Sequence, residues 1–128
     1  NLAERIKKDN TLINILKTDI LPAISSYIAN LSKNADLTHK ILPNSELKME
    51  KGLISKLCTL KDEIYTRIVK IEESLTSIPS TPYEAARYYH DEIFLKMEEL
   101  RPFIDEAELN TASEYWPVPT YTDLVFRV

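Results

Sequence analysis

The chain has 128 residues, 44% apolar and 28% charged, with 16 basic against 20 acidic side chains and a net charge of −4. That balance fits a single globular domain with a core of its own, and it excludes a disordered chain and the basic footprint of a nucleic-acid binder. A single glycine, Gly52, stands where average usage gives about nine, which excludes glycine-rich phosphate loops and argues against a hairpin-rich β fold.

In chain order, the first segment is predicted helical over about 2–32. Ile13, Leu16, Ile20, Ile24, Tyr27 and Leu31 recur at steps of three and four, one helical face. Leu12, Ile15 and Ile28 widen that stripe enough to touch two neighbours. Pro22 lies inside it, and its ring presses on the Thr18 carbonyl, so a kink or break is expected there. Residues 33–44, which include Pro43, read as helix end and loop.

The second segment, 45–78, begins at Ser45 as a candidate N-cap. Leu53, Leu57, Leu60, Ile64, Ile68, Ile71, Leu75 and Ile78 keep a mean step matching an α-helix that faces a partner along its length. Thr81, Pro82 and Glu84 then form a capping-box pattern opening a third helix over 82–109. Its stripe is Ala86, Tyr89, Ile93, Met97, Leu100 and Ile104, and Pro102 is expected to bend it. Short loops between three long helices imply an all-α, up-down-up antiparallel bundle. The last segment, 111–128, is apolar and aromatic, and Pro117 and Pro119 keep it from being a regular helix. It reads as an extended strap that docks on the helices or on a partner surface, with Tyr115, Trp116, Pro117, Pro119, Tyr121, Leu124 and Phe126 as its candidate docking residues.

Catalytic, cofactor-binding and metal-binding residues are not assigned. A bundle di-iron site needs Glu-x-x-His pairs, but His39 has Asp36 at that spacing and His90 has Arg87. His90, next to Asp91, lacks a nucleophile and an oxyanion donor and reads as a helix-surface histidine. Cys58, beside Leu57, reads as a small buried hydrophobe. Tyr88, Tyr89 and Phe94 have no basic groove around them, so the core is the better reading than a base-stacking platform. The third helix carries eight acids against Arg87, Lys96 and Arg101, a pattern read as a solvated face. Arg5, Lys7 and Lys8 of the first helix either pair with those acids or sit in water.

With one cysteine there is no internal disulfide, which fits a reducing, cytoplasmic compartment. Neither a membrane-length apolar run nor a secretory signal is visible, and neither nucleic acid nor a membrane is an expected partner. A start at Asn1-Leu2 without methionine reads as a piece of a longer chain or as the product of tag removal.

The tail, Glu114-Tyr115-Trp116-Pro117-Val118-Pro119-Thr120-Tyr121-Thr122-Asp123-Leu124-Val125-Phe126, resembles the carboxyl-terminal signature of the type III glutamine synthetases, the long bacterial form. Asp19-Ile20-Leu21-Pro22-Ala23 and the run from Tyr88 to Arg101 resemble two further stretches of that family, in the right order. His90, Leu95 and Thr122 depart from its pattern, Thr122 standing where the family has glycine. An ordinary negative φ is expected at Thr122, since β-branched residues avoid the left-handed region. The resemblance implies a carboxyl-terminal structural and assembly domain without catalytic residues. The implied parent is a ligase of nitrogen metabolism that makes glutamine from glutamate, ammonia and ATP, with Mg or Mn. The implied partners are the upstream catalytic domain and neighbouring subunits. Another reading, from a different class, is a free-standing helical protein–protein interaction module.

Overall fold

The computed structural model describes residues 1–117, and there the regular structure is entirely helical. Helix α1 comprises Leu2–Ile15, a π-helical segment Leu16–Ile20 and Leu21–Ile41 without interruption. Helix α2 is Lys48–Leu75. Helix α3 comprises Pro82–Tyr88, a π-helical segment Tyr89–Phe94 and Leu95–Asn110.

Three helix ends differ from the expectation. Helix α1 passes the expected stop at residue 32 and reaches Ile41. Leu31 is buried, and the following residues carry an i,i+4 ion pair between Lys40 and Asp36 at 3.2 Å. The stop is set instead by Pro43, which drives the preceding Leu42 out of the helical region to φ −125 and ψ 76. Ser45 does not cap α2. Its N–H donates to the Leu42 carbonyl at 3.0 Å within the turn. The residue before α2 is Leu47, with φ 53 and ψ 42 and no side-chain cap. Leucine in that left-handed region is uncommon and costs energy that tertiary contacts must offset. Helix α2 then ends at Leu75, short of Ile78. Thr81 does precede α3, with Pro82 in the first turn, but its side chain makes no capping bond.

Pro22 does not break α1. The Leu21 N–H reaches back five residues to the Leu16 carbonyl, closing a π turn just ahead of the proline. The core residues show why. In α1, Leu12, Leu16, Ile20 and Ile24 are buried, and in α3, Ala85, Tyr89, Ile93 and Met97 are buried. Each set advances by three successive steps of four. An ideal α-helix would rotate such a stripe by about 120° over that span, and a π segment, with more residues per turn, keeps it on one face. The same spacing buries Ala85 where the sequence pattern pointed to Ala86, which is exposed. In α2, by contrast, Leu57, Leu60, Ile64, Ile68 and Ile71 mix steps of three and four, and α2 is regular throughout.

Helix α2 packs along both other helices. Its contacts with α3 run in opposite sequence order: Lys96 Nζ donates to Ser74 Oγ at 2.8 Å, Arg67 pairs with Glu99 at 3.6 Å, and Lys56 pairs with Glu106 at 2.8 Å. Lys17 of α1 pairs with Glu72 of α2 at 2.8 Å. Leu16, Ile20, Ile64, Ile68, Ile93 and Leu100 are fully buried between the helices. Arg67 joins the polar rim to that core, with its guanidinium 3.8 Å from the centre of the Phe103 ring and a bond to Glu63 one turn back.

Candidate functional site

Of the seven candidate docking residues, the described part of the chain contains Tyr115, Trp116 and Pro117. Pro119, Tyr121, Leu124 and Phe126, and the expectation for Thr122, lie outside the described residues. After Asn110 the chain turns, with the Tyr115 N–H donating to the Ala112 carbonyl at 2.9 Å and the Trp116 N–H to the Ser113 carbonyl at 3.3 Å. This turn places the Tyr115 ring 5.1 Å from that of Tyr27 on α1, tilted by 49°. Trp116 is 7% exposed and belongs to the hydrophobic core cluster. Among the described residues, its indole Nε1 and the Thr111 hydroxyl are buried without a hydrogen-bond partner.

Of the other singled-out side chains, Arg5, Tyr89, His90 and Phe94 line one shallow pocket between the start of α1 and α3. His90 is exposed, with Nδ1 3.1 Å from Asp91 Oδ1 and its ring stacked on Phe94 at 5.8 Å. Cys58 is half-buried on α2. Among the described residues no group of three His, Cys, Asp or Glu side chains could hold a metal ion. Acids of α3 pair within their own helix, Glu92 with Lys96 at 3.4 Å and Asp91 with Arg87 at 3.9 Å, or with Lys56 and Arg67 of α2. The Lys56 bond holds the Glu106 carboxyl below its ordinary value, and the Glu72 bond raises Lys17.

One polar contact escaped the sequence pattern. The Tyr89 hydroxyl donates to Asp9 Oδ2 at 2.6 Å, joining α3 to α1 across 80 residues of chain. Burial pushes the Asp9 carboxyl up, against the lowering effects of the Tyr89 bond and the nearby Arg5 charge. Burial, then the bond to Asp9, pushes the Tyr89 phenol up. A tyrosine in a buried stripe needs a partner for its hydroxyl; that was the one available signal, and it does not say which acid would answer.

The chain is similar to a glutamine synthetase of Butyrivibrio fibrisolvens, 25% identical over 120 residues. The match takes in 92% of this chain but only 17% of that synthetase, so the chain spans about a sixth of the curated relative it matches. No family model matches. No solved structure matches either. Among the described residues, no helix is long and apolar enough to cross a membrane.

Proposed function

We propose that this chain is the carboxyl-terminal helical domain of a type III glutamine synthetase, an up-down-up antiparallel bundle that serves structure and assembly. The observation that carries the reading is the similarity of 92% of the chain to a small part of a bacterial glutamine synthetase. The tail signature around Trp116 supports it. In this reading the parent enzyme joins ammonia to glutamate at the expense of ATP, with Mg or Mn, in the cytoplasm. The residues that bind nucleotide, metal and glutamate lie upstream, and the domain's partners are that catalytic part and neighbouring subunits.

The physical chemistry of the chain is in keeping with an accessory role. One glycine leaves no glycine-rich loop to cradle a phosphate. Among the described residues the buried side chains are almost all apolar, and the Asp9–Tyr89 bond ties α1 to α3. Two measurements test the reading. The reading frame upstream of Asn1 is expected to encode the catalytic part of a synthetase, and a start codon immediately before Asn1 would overturn the proposal. Titration calorimetry of the 128-residue chain with ATP is expected to give no binding heat, and micromolar binding would contradict an accessory role.

A further inference from the structure

The exposed large hydrophobic side chains are not spread evenly. Leu37 and Ile41 lie at the end of α1, Leu42 in the turn that follows and Met49 in the first turn of α2, with Ile41 at 79% and Met49 at 65% exposure. Leu37 and Ile41 are one helical turn apart on the same face. Leu109, also exposed, sits at the end of α3 that the Lys56–Glu106 pair brings beside the start of α2. One end of the molecule therefore carries five such side chains. Large apolar side chains gathered at one end of a molecule mark a candidate interaction site.

The turn is also held in one shape. Leu47 occupies the left-handed region, the Ser45 N–H is tied to the Leu42 carbonyl, and the Lys51 N–H donates to the Leu47 carbonyl at 3.0 Å. Neighbouring charges are matched within the turn, Lys40 with Asp36 and Lys48 with Glu46 at 3.0 Å. The surface offers a partner apolar area without an unbalanced field, so the complementary face is apolar.

We propose that this α1–α2 turn is a docking surface for the remainder of a glutamine synthetase chain. The proposal rests on the functional reading above. It is argued from the length of chain outside the structure, since the matched stretch is 17% of the relative, together with the apolar, charge-matched character of the surface. Ile41, Leu42 and Met49 are the side chains that the rest of the enzyme covers.

Hydroxyl-radical footprinting read by mass spectrometry tests this by comparing the 128-residue chain with the full-length synthetase chain. Oxidation of Met49, Ile41 and Leu42 is expected to be slowed severalfold in the full-length chain, while Tyr83, exposed at the other end, is unchanged. Equal oxidation of Met49 in both overturns the docking surface and leaves the functional reading standing. Protection that rises with the concentration of the 128-residue chain alone assigns the surface to a second copy and overturns the proposal. An upstream frame with no synthetase sequence overturns the functional reading and the proposal with it. In the full-length chain, the triple substitution Ile41→Ser, Leu42→Ser, Met49→Ser is expected to restore rapid oxidation of Leu109 as the docked face is released. Leu109 remaining protected would show that the turn is not what holds it.

Discussion

Helix α2 and its two neighbours keep their buried faces aligned by different means. In α2 the buried positions mix steps of three and four, and a regular α-helix holds them on one side from Leu57 to Ile71. In α1 and α3 the buried positions take three steps of four in a row, and each helix inserts a π segment there. Proline alone does not account for this. Pro22 lies two residues after the π segment of α1 ends, but Pro102 lies more than a turn beyond that of α3. The spacing of apolar residues is what the two helices share, so burial sets the winding of the backbone and the proline in α1 sits where the widened turn accommodates it.

The comparison can be broken most forcefully at the core. Ile93→Ala in the π segment of α3 and Ile68→Ala in regular α2 both empty fully buried sites, and each is expected to cost about 2–5 kcal/mol, read as a lower denaturation midpoint. A π segment that merely tolerates its stripe would make the Ile93 loss far smaller than the Ile68 loss. Tyr89→Phe removes the donor to Asp9 at the first residue of the same segment. It is expected to cost about 1–3 kcal/mol by leaving a half-buried carboxylate without its partner, measured by chemical denaturation.

Pro22→Ala sharpens the comparison at smaller cost. If spacing rather than proline widens the turn, the Leu21 N–H remains bonded to the Leu16 carbonyl, detectable by NMR couplings across the hydrogen bond, and stability changes by less than about 1 kcal/mol. Loss of that bond in Pro22→Ala would assign the π turn to the proline. The smallest effect is expected at Asp9. Its carboxyl is raised in the folded state, chiefly by burial, so the folded protein holds that proton more tightly than the unfolded chain does. Its contribution therefore favours the fold when protonated and weakens as pH rises through the ordinary carboxylate range to the raised value. Asp9→Asn removes this dependence. Its melting temperature is expected to exceed that of the unsubstituted protein at pH 7 and to converge with it at pH 3.

Much of the helical pattern was legible in the sequence because burial repeats at helical spacing. Of the α1 stripe, Ile13, Leu16, Ile20, Ile24 and Leu31 are buried and Tyr27 is half-buried; of the α2 stripe, Leu57, Leu60, Ile64, Ile68 and Ile71 are buried, while Leu53, Leu75 and Ile78 are half-buried. What stayed hidden depends on contacts between distant residues or on phase. Ala86 was favoured over Ala85 because a fixed α period was carried through Tyr89, where the backbone is π-helical. The end of α1 lies beyond the point the sequence suggests, because the polar residues after Ser32 look like a loop yet also suit a solvent-exposed helix that Pro43 stops. For the candidate site, Trp116 stands out in sequence as a side chain that must bury, but the Tyr27 ring that meets its neighbour Tyr115 is 88 positions earlier, beyond the reach of any local pattern.

The turn at Leu47 has a consequence for how this chain could be improved. The chain's single glycine is five residues further on, inside α2, with an ordinary helical φ and open space where a Cβ would stand. The residue type best suited to left-handed backbone is thus spent on a helix, where it costs about 1 kcal/mol relative to alanine, while a branched side chain occupies the left-handed position. Exchanging these roles, with glycine at 47 and alanine at 52, would relieve two mismatches between residue and backbone at once.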